Sequence, residues 1–315
     1  MAENEYICTL EEKYIKKARD ELNEIPSDRL SAVKALRDWV NEQEHLTFDT
    51  RTFSLLRILR HSKFSQSKAR YTIEKVACFY SKNRNSFSNL DSRSDVVQEV
   101  LRRGHLMVLP GYDDDGRVIM LYKLNMIPFE ELKKKYRFSE FMKVMNVVFV
   151  SLMKDEMFQV NGIVLLFDMT GINLKIMTLF NDPDSVDYQK DGQDAQIGRI
   201  KGIHYYNVGS LFETIFSIYK PFMKKKHKER THVHGTLESL YKHIPKRMLP
   251  REYLPDDYDG PICGSLLEIG AQTADRVLMM RDDILDISNP AHLSYNESKK
   301  PATEVLQHFR KLNVD

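Results

Sequence analysis

The chain of 315 residues is 42% hydrophobic and 29% charged, proportions typical of a folded globular protein rather than a disordered one. A formal net charge of +2 gives no overall nucleic-acid signature, so any anion site must come from local clustering. The three cysteines, Cys8, Cys78 and Cys263, are odd in number and far apart, which argues against a disulfide framework and against a cysteine-rich metal site.

The N-terminal stretch MAENEYICTLEEKYIKK lacks the apolar core of a signal peptide. Apolar runs further on, such as MNVVFVSLM and GIVLLF, are too short to cross a bilayer. These features lead us to expect a cytoplasmic location.

Residues 1–90 show the spacing of amphipathic helices. SDRLSAVKALRDWVNEQ starts with Ser27 or Asp28 as a plausible cap, and apolar side chains then recur at helical intervals. DTRTFSLLRILRHSKF and SQSKARYTIEKVACFYSKNR have the same period. The following NSFSNLDSRSD is rich in Ser, Asn and Asp and predicts a linker.

Strands and helices alternate after this linker. GHLMVLPGYDDDGRVIMLYKLN predicts a hairpin whose turn ends at Gly116, and FSEFMKVMNVVFVSLMKDEMFQVNG predicts a helix. GIVLLFD, a continuous apolar run, suits a strand that is buried on both faces. IGRIKGIHYYN and THVHG predict two more strands, and LESLYKHIPKRMLPREYLPDDYDG a helix followed by proline-rich chain. This order predicts an α/β fold around a central sheet.

Few residues have the spacing of a catalytic or metal site. The chain contains no G-x-S-x-G, G-x-G-x-x-G or G-x-x-x-x-G-K-[ST] motif. Asp168 ends a predicted strand, but as a lone carboxylate it is more typical of a turn or cap. Asp113–Gly116 lacks the ligand spacing of a calcium loop. His232 and His234 form half of a possible zinc site, and we favour a structural role for both. We therefore predict neither a catalytic nor a metal site.

The segment from Gly209 to Arg230, GSLFETIFSIYKPFMKKKHKER, changes from apolar to basic near Pro221. Its second half carries six Lys or Arg in the eleven residues from Lys220 to Arg230. One interpretation is a surface helix that packs on the core with solvated lysines. The other is an interfacial helix whose basic end binds an anionic membrane. The apolar stripe recurs at helical spacing and consists of Val208, Leu211, Phe212, Ile215, Phe216, Ile218 or Tyr219, and Phe222.

Five segments in this order resemble the CRAL-TRIO family over residues 28–270. They are the leucine- and arginine-rich TFSLLRILRHSKFSQSKARYTIEKVACFYSKNR, the hairpin LPGYDDDGRVIMLYKL, the strand QVNGIVLLFDMTGINL, the stretch IGRIKGIHYYNVGSLFETIFSIYKPFM, and HVHGTLESLYKHIPKRMLPREY. The resemblance implies an α/β fold with a mixed sheet as the floor of a closed lipid pocket. It places an N-terminal helical domain at 1–90, the lipid-binding domain at 95–265 and a C-terminal extension at 266–315.

The same resemblance implies a carrier that is not an enzyme, with a mobile helical gate from about Gly209 to Lys226. One hydrophobic ligand, such as a retinoid or tocopherol, is expected as cargo, with anionic lipids, phosphoinositides above all, as membrane partners and no nucleic acid. A phosphoinositide-sensing membrane adaptor without cargo is the alternative. The expected pocket residues are Phe167, Phe180, Ile203, Tyr205, Leu211, Phe212, Ile215, Phe216 and Phe222. The expected phosphoinositide-binding residues are Arg60, Arg199, Lys225, Lys226 and Arg230.

The interval 181–196, NDPDSVDYQKDGQDAQ, departs from the family pattern. The family usually places an apolar amphipathic helix at this point, whereas the interval is polar and is interrupted by Gly192. Such a segment cannot bury a wide apolar stripe. We therefore expect either a short helix with an altered pocket wall, or a wetter wall and a ligand with a polar end.

Overall fold

The computed structural model describes residues 6–123, 125–126, 129–171, 188, 192, 195, 197–209, 212, 216–217, 220, 223 and 225–300. Within these residues, an N-terminal group of helices lies beside a mixed five-stranded sheet that has helices on both faces. The α/β architecture predicted from the order of apolar segments is confirmed.

The helices before the sheet bury their apolar sides against one another. Asp28, one of the two predicted cap residues, is the N-cap residue of the second helix, but its side chain makes no hydrogen bond to the helix. A turn of 3-10 helix, Pro26–Asp28, leads into that helix instead. The ranges are α1 Glu12–Leu22, α2 Arg29–Asn41, α3 Thr52–His61, α4 Gln66–Lys82, α5 Arg84–Phe87 and α6 Asp95–Arg102.

The central sheet has the strand order β2-β3-β4-β5-β6. The first two strands are antiparallel, and the remaining neighbours are parallel. β4 therefore has parallel partners on both sides, which explains its continuous apolar sequence. The strand ranges are β1 Leu46–Thr47, β2 Leu106–Val108, β3 Val118–Lys123, β4 Ile163–Asp168, β5 Ile200–Tyr206, β6 Thr231–His234 and β7 Ser294–Tyr295.

The hairpin between β2 and β3 follows the sequence prediction. The carboxylate of Asp113 accepts hydrogen bonds from the backbone N–H groups of Asp115 at 3.0 Å and Arg117 at 2.8 Å. Gly116 has φ +78°, and a Cβ there would lie 2.6 Å from the side-chain nitrogen of Asn161. The turn therefore needs glycine at this position, and the three aspartates belong to a turn.

Alternate residues of β4 pack into different layers. Leu165 faces the core that contains α8, whereas Leu166 faces a core built with the segment after β6. The later helices are α7 Phe129–Lys135, α8 Phe138–Leu152, α9 Glu156–Asn161, α10 Lys225–Glu229, α11 Leu237–Tyr241, α12 Leu266–Met279 and α13 Arg281–Ile287.

The C-terminal helices are integrated into the fold. α12 contributes Val277 to the core beside α8 and Ile269 to the core on the other side of the sheet. β7 pairs antiparallel with β1, which connects Tyr295 to Leu46 in the N-terminal region. The division of the chain into three domains stays a prediction.

Candidate functional site

An apolar cavity of about 300 Å³ lies between the N-terminal helices and α8. Its volume is at the lower end of the range for small-molecule pockets. Aromatic rings form much of the wall, since Tyr188 stacks on Phe87 at 5.7 Å and meets Phe79 edge-on at 5.0 Å. The lining residues are Phe79, Tyr80, Phe87, Met142, Met145, Asn146, Phe149, Met153, Tyr188, Gly192, Ala195 and Ile197.

The polar interval 181–196 contributes to this wall. Most of it lies outside the described residues, but Tyr188, Gly192 and Ala195 line the cavity. The Tyr188 ring supplies apolar area together with a hydroxyl, and Ala195 is buried. Polar composition therefore did not prevent this interval from forming part of an apolar wall.

The aromatic residues predicted to line a pocket form a row along the sheet. The ring centroid of Phe167 lies 4.6 Å from that of Tyr122 and 5.2 Å from that of Tyr205. The row continues from Tyr205 to Phe212 at 5.1 Å and from Phe212 to Phe216 at 5.2 Å. These rings pack on one another, and none of them belongs to the described wall of the apolar cavity.

Ile203 is buried in the core between the sheet and α8 and is likewise absent from the described cavity wall. The roles of Ile203 and the aromatic row as pocket lining stay predictions. Four further predicted lining residues lie outside the described residues: Phe180, Leu211, Ile215 and Phe222. Most of the predicted gate helix lies outside them as well.

A second cavity, which we call the cationic cleft, has a volume of about 330 Å³. The fold brings three of the predicted phosphoinositide-binding residues to it from two parts of the chain: Arg199 just before β5, and Lys226 and Arg230 in and just after α10. Lys225 is exposed beside Lys226 at the start of α10 but does not line the cleft. The lining residues are Asp20, Glu21, His61, Lys63, Gly198, Arg199, Lys201, Lys226 and Arg230.

Glu21 is one of two carboxylates in the described wall of this cleft, and it is bonded to two of its basic side chains. Its carboxylate accepts hydrogen bonds from Arg199 Nη2 at 2.9 Å and from Lys201 Nζ at 3.2 Å. Partial burial raises the pKa of Glu21, but the bonds from Arg199 and Lys201 outweigh it and leave the pKa below its ordinary value. Burial, and then the nearby charge of Arg199, lowers the pKa of Lys201. The described wall of the cleft thus carries five lysine and arginine side chains against two carboxylates, Asp20 and Glu21, and it concentrates positive charge.

Backbone carbonyls fix both cleft arginines. Arg199 Nη1 donates to the carbonyl of Val160 at the end of α9, and Arg230 Nη1 donates to the carbonyl of Ile200 in β5. Each guanidinium has five N–H donors. Holding one donor on the backbone therefore orients the group and leaves others for an anion.

Arg60 does not belong to this surface, so its assignment as a phosphoinositide-binding residue is wrong. Its side chain is fully buried and donates to both carboxylate oxygens of Glu24, at 2.8 and 2.9 Å. It also contacts Glu156 at 2.9 Å and Gln159 at 2.7 Å. These partners bind the guanidinium of Arg60 in the interior of the protein. The last residue of α3, His61, and Lys63 shortly after it line the cleft instead.

Sequence reasoning missed Lys201, Lys63 and Glu21 in the cleft and α8 in the apolar cavity. Lys201 could have been found, because residues two apart in a strand share a face and Arg199 was already a candidate. The apolar character of α8 on all sides indicates a helix that is covered on both faces. Glu21 had no sequence signal, since only the fold brings α1 to β5.

The carboxylate of Asp168 is fully engaged in structural contacts. It binds Lys123 Nζ and Tyr253 Oη, each at 2.5 Å, and accepts from the backbone N–H of Thr170 at 2.9 Å. Burial raises its pKa, but the bonds from these three residues outweigh it and keep the pKa below its ordinary value. The residue stabilises the end of β4, as its lone position in the sequence suggested.

The predicted histidine pair becomes a cluster of four rings on the sheet. His204 Nδ1 lies 2.9 Å from His234 Nε2, and the His232 and His243 ring centroids lie 4.5 Å apart. Burial, and then the neighbouring histidines, lowers the pKa of His204 to about 3 and that of His234 to about 4. Within the described residues, no group of three or more His, Cys, Asp or Glu side chains is arranged to hold a metal ion.

Helices in the described part of the chain lack the combination of length and apolarity that a bilayer span requires. The described residues form a mixed α/β domain with an apolar cavity and a separate cationic cleft. This is the class that the fold and site define.

Comparison with known proteins identifies the family. Residues 102–253 match the CRAL/TRIO domain. The chain is 34% identical over 253 residues to alpha-tocopherol transfer protein-like of Mus musculus, covering 79% of this chain and 71% of that protein. For the Homo sapiens protein of that name the values are 32% over 283 residues, with 88% and 78% covered. Clavesin-1 of Rattus norvegicus is 26% identical over 286 residues, with 90% and 76% covered. The chain belongs to the CRAL-TRIO family of lipid-binding proteins.

Proposed function

We propose that this protein is a carrier, not an enzyme, that binds one hydrophobic small molecule and exchanges it at phosphoinositide-containing membranes. It would work in the cytoplasm and contact membranes transiently. The similarity to proteins named for tocopherol transfer supports an apolar cargo. The observation that carries the proposal is the adjacency of the two cavities: Ile197 lines the apolar cavity, and the next two residues, Gly198 and Arg199, line the cationic cleft.

The apolar cavity supplies the binding energy for a cargo. Transfer of each methylene group from water to an apolar wall gains about 0.8 kcal/mol. A ligand with ten or so carbons would therefore leave into water slowly, and an apolar surface such as a bilayer would be needed for fast exchange. The methionines from α8 suit a wall that adapts to a guest, since Met side chains are flexible.

The cationic cleft supplies the membrane contact. Each Lys or Arg near an anionic leaflet contributes about 1 kcal/mol, and arginine binds phosphate oxygens with two parallel hydrogen bonds. Lys225 and Lys226 on α10 lie next to Arg230 at the start of β6, so this short element presents its charges together. A headgroup held here would bring the bilayer against the segment that joins β5 to α10, where the sequence predicts the gate.

The first experiment asks whether a cargo is present. Native mass spectrometry of the protein purified from its natural source, followed by lipid extraction, should show one apolar molecule per chain. A protein whose apolar cavity is filled by its own side chains and that carries no lipid would instead support the membrane adaptor.

The second experiment tests the cleft with a triple variant, Lys225→Ala, Lys226→Ala and Arg230→Ala. Transfer of a loaded fluorescent lipid to vesicles containing a phosphatidylinositol bisphosphate should slow, while binding of that lipid in solution should persist. A control variant removes the same charge from exposed positions on other helices, through Lys68→Ala, Lys134→Ala and Lys242→Ala. Equal transfer rates for both triple variants would remove the cleft from the mechanism.

A further inference from the structure

Arg57 in α3 is a buried cation for which the described residues supply no directly bonded carboxylate. It is 8% exposed, and within the described residues its guanidinium donates to the sulfur of Met153, a weak acceptor. Its Nε is buried and has no hydrogen-bond partner among the residues that the structure describes. The carboxylate of Asp49 lies nearby but is occupied by Arg51 at 2.7 Å and Ser54 at 2.6 Å.

Arg60, one helical turn later, lies in the same environment, and there the charge and the hydrogen-bonding groups of the guanidinium have partners. Its guanidinium contacts two carboxylates, Glu24 and Glu156, and the amide oxygen of Gln159. A buried charge is strongly unfavourable unless it is paired and hydrogen-bonded. Arg57 therefore has the character of a binding group whose partner comes from outside the chain.

Arg57 lines a small side cavity of about 30 Å³ that adjoins the apolar cavity. The two cavities have Tyr80, Phe87, Met153 and Ile197 as common wall residues, so these side chains lie between the two spaces. Met153 is both the partner of Arg57 and part of the partition. A rotation of this flexible side chain would open a path from the apolar space to the guanidinium.

We propose that the cargo is an amphiphile with a single long apolar tail and one carboxylate, which Arg57 binds. This inference rests on the proposed carrier function and specifies its ligand class. A space of about 30 Å³ matches the share of one water molecule in the liquid and suits a carboxylate better than a phosphorylated headgroup. The planar guanidinium fits a carboxylate with two parallel hydrogen bonds, and one unpaired positive charge matches one negative charge.

The test compares ligands that differ only at the head. Delipidated wild-type protein is titrated with oleic acid, methyl oleate and oleyl alcohol in competition with a fluorescent lipid. The acid should bind about ten- to a hundredfold more tightly than the ester, as expected for a hydrogen bond to a charged group. Equal binding of all three would overturn the inference and leave the carrier function intact. It would indicate that water, not the ligand, solvates Arg57. Failure of all three to bind would count against the carrier function itself.

A variant separates recognition from folding. Arg57→Met should lose the preference for the acid, while the ligand-free variant should keep or gain thermal stability, because it removes an unpaired buried charge. A structural role for Arg57 would predict the opposite, a less stable protein with the acid preference intact. Arg70→Met, at an exposed arginine of α4, is the control and should change neither property. If Arg57→Met does not fold, the wild-type comparison of acid and ester still decides the question.

Discussion

Replacing Glu21 with glutamine should strengthen the binding of anionic membranes. Glutamine retains an oxygen acceptor for Arg199 and Lys201 but removes the negative charge that lies 2.9 and 3.2 Å from their nitrogens. An incoming phosphate would otherwise have to displace this carboxylate and approach against its repulsion. The substitution therefore leaves Asp20 as the remaining carboxylate of the described cleft wall and makes the cleft more available to an anion.

The magnitude follows from the exposure of the pair. The Glu21 side chain is 39% exposed, so water screens the interaction and each contact is worth about 0.2–1 kcal/mol. Loss of this competition should tighten binding about two- to fivefold. The effect should shrink as salt is added, because screening shortens the range of the charges.

Vesicle sedimentation measures this effect directly. Phosphatidylcholine vesicles with and without a phosphatidylinositol bisphosphate are titrated at low and at physiological ionic strength. Glu12→Gln is the matched control, since Glu12 is an exposed glutamate at the other end of α1 and its loss changes the net charge equally. Weaker or unchanged binding of Glu21→Gln would refute the view of Glu21 as a competitor and would make it a residue that orients Arg199.

Three further predictions concern stability. His204 stays neutral in the folded chain because its pKa is lowered to about 3, whereas the same side chain is protonated near pH 6.5 in the unfolded chain. Its contribution to the free energy of unfolding is therefore fully present above about pH 6.5 and falls by up to about 1.4 kcal/mol per pH unit below it. Thermal melts of the wild type and of His204→Gln across this range should depend differently on pH. Glu24→Gln removes the main counter-ion of buried Arg60 and should cost about 3–5 kcal/mol in urea denaturation, whereas Lys34→Ala, which breaks an exposed pair with Asp38, should cost under about 0.5 kcal/mol. Gly270→Ala places a Cβ 2.5 Å from the carbonyl of Leu101 and should cost about 1–3 kcal/mol in the same assay; a cost near zero would show that α12 can move away from α6.

Local patterns in the sequence predicted the framework of this protein. The hairpin turn around Asp113 and Gly116 is formed by hydrogen bonds between neighbouring residues, and the unbroken apolar run of β4 predicted its burial. The order of five segments was sufficient for the family resemblance, and the family is confirmed. Arg199, Lys226 and Arg230 could be named because the family resemblance implies basic binding residues at these positions.

Tertiary structure decided which of those basic side chains come together and which are neutralised by carboxylates. Arg57 and Arg60 are three residues apart on α3 and read alike in the sequence, yet Arg60 is neutralised by carboxylates from distant segments and Arg57 is not. The apolar cavity likewise lies against α4, α5 and α8, away from the aromatic row of the sheet, because its walls come from parts of the chain that meet only after folding. Pairing between distant side chains depends on the path of the whole chain in three dimensions, and the spacing of residues in the sequence does not determine that path.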